Sequence, residues 1–308
     1  MSAKLTEGES EELKLDEKRN GAKAVRDILN RYGLQLSKSM GQNFLIDANI
    51  PEKIVRLSNV DSSCGVLEIG PGLGALTSAL GRAAARVTAV ELDGKLMPLL
   101  SETLAGLQNV EIVRGDILKL DIAGLVNQKM PEMKHIVCAN LPYNITTPTL
   151  TALIDADAFD SITVMIQREV ARRICAKPGS PEYGAFTVYA NYHTEPEILF
   201  DVPPECFIPR PGVFSSVLFM KPRKQRFLDA ADEALFFRVV RAAFGQRRKT
   251  LVNSLSASFG SAFTKEEIAG FVANCGFDAR VRGETLGIEE FVKLSSKFVT
   301  SHAREQRL

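Results

Sequence analysis

The chain reads as an α/β protein: a parallel sheet covered by helices on both faces, followed by a smaller all-helical domain. Three observations carry this reading. Short β-rich runs alternate with helix-length segments between about residues 65 and 166. The runs are nearly continuous in apolar residues, as strands must be when neither face meets water. After the basic stretch Lys221-Pro-Arg-Lys-Gln-Arg226 the pattern becomes wholly helical. With 308 residues the chain exceeds the usual size of one domain. The expected division is an extension over 1–20, an α/β domain over 21–222 and a helical domain over 223–308.

In chain order, the extension is polar and rich in acids, with no apolar segment of a signal peptide, and is expected to be disordered. An amphipathic helix is predicted over 22–32 and a second over 50–59. Strands follow at 65–69, 86–91, 110–113, 135–139 and 162–166, with helices at 75–84 and 96–107 between the first of them. Two extended runs, 186–200 and 214–220, flank the Pro-rich link Val202-Pro-Pro-Glu-Cys-Phe-Ile-Pro-Arg-Pro211 and predict an antiparallel pair at the sheet edge. The tail then carries helices at 232–244, 249–258, 265–274 and 288–298.

Composition narrows the function. No run approaches the roughly 20 apolar residues of a membrane span, so no membrane partner is expected, and the chain is read as a cytoplasmic monomer. The cysteines Cys64, Cys138, Cys175, Cys206 and Cys275 form no C-x-x-C pair, and with only three histidines no zinc spacing emerges, so no metal is expected. Charge is uneven. Residues 201–250 hold ten Lys/Arg against five acids, the footprint of a surface that meets phosphates.

The first strand runs into Gly70-Pro-Gly72-Leu-Gly74, and a helix begins directly after it. Glycines let the backbone turn sharply and let a ligand approach closely. Glu91 ends the second strand about 20 residues on, where a ribose-binding acid belongs in dinucleotide sites. The loop by itself therefore suits a nicotinamide cofactor as well as an adenosyl one. Glu68 just before the loop, the third glycine, and Gly115-Asp116 after the third strand favour S-adenosylmethionine, which has no phosphates to cradle. Glu91 would then hold the ribose hydroxyls and Asp116 the adenine amino group, with Leu92 and Ile117 beside them as further cofactor-binding candidates.

The fourth strand ends in Asn140-Leu141-Pro142-Tyr143. An exocyclic amino group is a poor nucleophile because its lone pair is delocalised into the ring. An Asn side-chain oxygen and the carbonyl of Leu141 can accept its two hydrogens and draw the nitrogen towards tetrahedral geometry, while Pro142 fixes the turn and Tyr143 offers a face to an extruded base. The acceptor implied is a planar amino group, and no general base is required.

These residues, with Gly41-Gln-Asn-Phe-Leu-Ile-Asp47, Gln167-Arg-Glu-Val-Ala-Arg-Arg173, Phe207-Ile-Pro-Arg-Pro-Gly-Val-Phe-Ser215 and Phe244-Gly-Gln-Arg-Arg-Lys-Thr-Leu251, resemble the ribosomal RNA adenine dimethyltransferases, and most closely their small-subunit branch. The resemblance spans about residues 35–290. It implies a Rossmann-like methyltransferase domain and a small helical C-terminal domain that contacts RNA. It implies transfer of two methyl groups to each of two adjacent adenosines near the 3′ end of 16S rRNA, within a pre-30S particle. By residue, Asn43 and Leu45 would touch the methionine end of the cofactor, Gly70 and Gly72 the loop side, Asn140 the reacting centre, and Phe207 would stack on the target adenine opposite Tyr143. Arg168, Arg172 and Arg173 share one helical face. With Arg210, Arg223, Lys224, Arg247, Arg248 and Lys249 they are candidates for RNA phosphates. A large-subunit methyltransferase of the antibiotic-resistance type, a non-enzymatic assembly factor and a nicotinamide oxidoreductase are the competing readings.

Overall fold

The computed structural model describes residues 21–34 and 42–305; the expected disorder of 1–20, and Gly41 of the first motif, lie outside the described residues. Helix α1 (21–31) precedes a short strand β1 (Phe44–Leu45) and α2 (Asn49–Leu57). The alternating region follows as β2 (Cys64–Ile69), α3 (Ala75–Ala83), β3 (Arg86–Glu91), α4 (Met97–Thr103), β4 (Val110–Arg114), α5 (Ile122–Lys129), β5 (Lys134–Asn140), α6 (Thr146–Asp155), β6 (Ser161–Gln167) and α7 (Arg168–Ile174). Every residue of β2 is buried, which explains its unbroken apolar run.

Three further strands complete the β-structure: β7 (Thr194–Val202), β8 (Phe207–Ile208) and β9 (Ser215–Pro222). Seven strands form one sheet in the order β4-β3-β2-β5-β6-β9-β7, while β8 pairs with β1. Strands β2 to β6 pair in parallel, and β9 runs antiparallel to β6. The chain builds outward from β2 through β3 to β4, then returns to the other side of β2 to lay down β5 and β6. Strand order therefore reverses between β2 and β5, and the loops leaving their carboxyl ends diverge to open a crevice. Against one face, Ile54, Val55, Leu76, Ala79 and Leu80 of α2 and α3 pack on Val66, Val87, Ile136 and Cys138. Burial of each Val, Leu or Ile contributes about 1.5–3 kcal/mol.

One expectation fails. Residues 186–193 are not extended but belong to helix α8 (Ala185–His193), and only the second half of the run forms β7. The helical period was present in the aromatic residues. Phe186 and Tyr189 stack at 5.8 Å between centroids, and Tyr189 meets His193 edge-on at 4.8 Å, contacts that i,i+3 and i,i+4 spacing produces. β-Propensity of Phe, Thr, Val and Tyr was overruled by the tertiary burial of Val188, Ala190 and Tyr192.

The chain groups into two compact units. One runs to Ala171 and resumes over Glu197–Pro222; the other joins Arg172–Pro196 to everything from Arg223 onward. A single cut at 222/223 thus differs from the observed grouping. Tyr183, Val188 and Tyr192 share a core with Phe236, Val240, Leu255, Phe291 and Phe298, so the segment containing α8 is part of the helical unit's own interior. That unit holds α9 (Ala230–Gly245), α10 (Leu251–Phe259), α11 (Lys265–Asn274) and α12 (Ile288–Glu305). Asp229, Thr250 and Thr264 cap the first three, and Glu267 completes a reciprocal capping box with Thr264. Each cap contributes about 1 kcal/mol.

Candidate active site

The crevice at the strand-order reversal is lined by the glycine loop, the ends of β3, β4 and β5, and the β1 segment. Gly70 and Gly72 take φ of 67° and 58°, a region that L side chains avoid. At Gly72 close approach adds to this, because a Cβ would sit 3.1 Å from the Phe44 ring. The loop must pass under β1, and only glycine leaves room. Helix α3 begins immediately after it with no side-chain cap and no acid in its first turn, so its free N–H groups and positive dipole end remain at the crevice.

Acidic groups stand on the crevice wall. Glu91 is 5% exposed, and its Oε1 accepts the Asp93 N–H at 2.7 Å. Burial pushes its pKa up, while N–H groups of Asp93, Gly72 and Leu92 pull it down and tie the second acid to the glycine loop. Asp116 Oδ1 accepts the Leu118 N–H at 3.1 Å, which orients the carboxylate beside Ile117 in the crevice lining. Leu92, 55% exposed, is a large apolar side chain left open there.

Glu68 lies deeper, 1% exposed, and its Oε2 has no hydrogen-bond partner. Burial drives its carboxyl up to about 8, and Glu91 adds to the rise. The Thr77 hydroxyl beside it offsets part of this, although neither Glu68 Oε2 nor Thr77 Oγ1 completes a hydrogen bond. A neutral acid is therefore held at the base of the crevice near pH 7.

At the end of β5, Asn140 Nδ2 donates to the carbonyl of Asn43 at 3.2 Å. With the amide nitrogen committed to the backbone, Oδ1 is the group left to accept from a ligand. Pro142 packs towards Gly70, and its carbonyl accepts the Thr146 hydroxyl at 3.2 Å, closing the turn that starts α6. The Tyr143 hydroxyl and the Ser215 hydroxyl meet at 2.7 Å, and Ser215 is fully buried. Burial raises the Tyr143 pKa, the Ser215 bond opposing it, so the phenol stays neutral and its ring is held by β9.

The crevice brings together Asn43, Leu45, Gly70, Gly72, Glu91, Leu92, Asp116, Ile117, Asn140, Leu141, Pro142 and Tyr143. Phe207 is not among them. It is 2% exposed and packs in the core with Val202, Cys206 and Val217. In the pairing of β8 with β1, Leu45 stands opposite Phe207, so the ring supports the crevice wall from behind. Ser215 was not singled out as a site residue in the sequence, although the motif ending in it offered the signal.

The basic candidates separate by what holds them. Arg223 pairs with Glu195 at 2.8 Å and donates to the Asn191 carbonyl; Arg247 pairs with Glu284 and donates to the Pro181 carbonyl at 2.7 Å. Both are engaged within the helical unit. Arg168 pairs with Asp201 at 3.7 Å and Arg210 with Glu205 at 3.8 Å. Arg172, Arg173, Lys224, Arg248 and Lys249 are exposed. Among the described residues, no group of three or more His, Cys, Asp or Glu is placed to hold a metal, and no helix is long and apolar enough to cross a membrane.

Residues 33–288 match the model of the family described as "Ribosomal RNA adenine dimethylase". The chain belongs to the ribosomal RNA adenine dimethylase family. Within it, this dimethylase is 44% identical to the "Ribosomal RNA small subunit methyltransferase A" of Geobacillus kaustophilus (strain HTA426), covering 88% of this chain and 94% of that protein. It is 46% identical to the protein of the same name from Shouchella clausii (strain KSM-K16), over 87% and 91% of the two chains. Among solved structures it resembles a dimethyladenosine transferase from Plasmodium falciparum, with a TM-score of 0.69 and 25% identity over 82% of this chain and 96% of that one. The α/β sheet with its following helices is thus the methyltransferase fold, and its crevice lies where that fold binds ligands.

Proposed function

We propose that the chain transfers methyl groups from S-adenosylmethionine to the exocyclic amino groups of two adjacent adenosines near the 3′ end of 16S rRNA, acting as a cytoplasmic monomer on a pre-30S particle. The observation that carries this reading is Asn140, whose amide nitrogen is held by the Asn43 carbonyl so that Oδ1 is free to accept. The small-subunit names of the relatives support the particle.

The crevice residues fit the cofactor on the chemistry of their donors. Glu91 can accept from two ribose hydroxyls, Asp116 from an adenine amino group, and the uncapped start of α3 can donate to a carboxylate. When bound, the cofactor supplies a methyl group already activated on a sulfonium. The protein's task is then alignment. Asn140 Oδ1 and the Leu141 carbonyl accept the two amino hydrogens, which turns the nitrogen lone pair out of conjugation, and the Tyr143 ring holds the base plane. No buried base is needed, because the methylated nitrogen loses its proton to water.

The test supplies labelled S-adenosylmethionine to immature small subunits and to large subunits, and maps the methylated adenosines. Label on adjacent adenosines of small-subunit RNA is expected. Label confined to large subunits would refute the assignment.

A further inference from the structure

We infer that Val213 and Phe214 form a stacking platform for an unpaired RNA base beside the target adenosine. The inference rests on the RNA reading above and names a contact outside the crevice.

Strand β6 runs parallel to β5 with Asn140 opposite Met165, and β9 enters antiparallel beside it with Ser215 opposite Gln167. The amino end of β9 therefore lies at the same sheet edge as the carboxyl ends that bear the crevice. Ser215 reaches Tyr143, and Phe214 is the next residue out. Its carbonyl accepts the Arg168 N–H at 2.9 Å, and the Arg168 guanidinium carbon lies 4.3 Å from its ring centroid. Asp201 steadies that guanidinium. The ring is thus fixed on one side, yet Phe214 remains 38% exposed and Val213 40%.

Two adjacent large apolar side chains open to water next to a polar catalytic edge are not core packing. A rigid aromatic ring backed by a cation stacks any base, whatever its sequence. Charge supports this occupant. Arg168 lies against the ring, and the 71%-exposed Arg210 stands four residues earlier on the same link as Phe214. Each shares its charge with one acid, at 3.7 and 3.8 Å, long pairings that phosphates flanking a splayed base can replace. The base next to the target loses a stacking partner when the target is extruded, and a platform here would replace that partner.

The experiment measures kcat and KM for immature small subunits, and cofactor affinity, with full-length Phe214→Ala, Phe214→Leu and Phe214→Trp. Alanine is expected to raise KM about ten-fold with cofactor affinity unchanged, leucine to do nearly the same, and tryptophan to restore the wild-type value. Leucine equal to wild type would reduce the role to apolar packing and overturn the inference, as would KM within about two-fold of wild type in all three variants. If the wild-type chain fails to methylate the small subunits, the function itself fails and the platform falls with it.

Discussion

Burial of the Glu68 carboxyl carries a cost that depends on pH. Its carboxyl titrates near 8 in the folded chain against an ordinary value of 4.5, so between those values the folded state keeps a proton that the unfolded chain has released. Stability contributed by that group is therefore lost as pH rises from about 5 to 8. Glu68→Gln keeps the shape without the ionisation. It is expected to stabilise the ligand-free chain, with a gap of up to about 4 kcal/mol that widens between about pH 5 and pH 8 in denaturant unfolding. A gap that does not change with pH would mean that the carboxyl is solvated. Neighbouring residues divide the labour differently. Asn140→Ala would remove the acceptor proposed for the reacting amine and is expected to abolish methyl transfer while calorimetry finds cofactor binding largely kept. Glu91→Ala is expected to weaken cofactor binding directly. Equal loss of cofactor affinity in both would contradict these roles.

At the scale of elements, the crevice depends on a strand pair distant in sequence. Pairing of β1 with β8 lays Phe44 over Gly72, and the two elements constrain each other. Gly72→Ala is expected to cost about 1–2 kcal/mol in urea unfolding, from the positive φ and the crowding against Phe44, and to lower cofactor affinity as well. Phe207 fills the core behind the pair. Phe207→Ala is expected to cost about 3–5 kcal/mol, whereas Phe207→Leu keeps the volume closely enough to retain methyl transfer. Transfer abolished in the leucine variant at preserved stability would place the ring on the target base instead.

For the whole molecule, the basic residues act as two populations. Arg248 and Lys249 are exposed, and their change to Gln is expected to lower the slope of log affinity against log salt for small-subunit particles by about one for each phosphate that the protein no longer neutralises. Arg223 and Arg247 are tied to carboxylates and backbone carbonyls of their own unit, so their Gln variants should lower the unfolding midpoint slightly and leave that slope nearly unchanged. A filter-binding salt titration beside thermal unfolding separates the two. Unchanged slopes in the exposed pair would remove that surface from RNA binding.

Local features settled much of this protein in advance. The glycine loop, Glu91, Asp116 and Asn140-Leu-Pro-Tyr143 were legible because a parallel sheet puts strand ends on one edge, and each motif stood at such an end. Helix α8 was not legible, since its Phe, Thr, Val and Tyr residues favour strands locally and only burial against α9 and α12 outweighs that preference. Nor were the Asn43 carbonyl that orients Asn140, the Ser215 hydroxyl that holds Tyr143, and the burial of Phe207. Each joins residues far apart in the chain, and long-range pairing selects partners that no local spacing encodes. The sequence by itself determined which side chains stand at each strand end; the tertiary structure alone decided which backbone carbonyl, hydroxyl or ring would hold them in place.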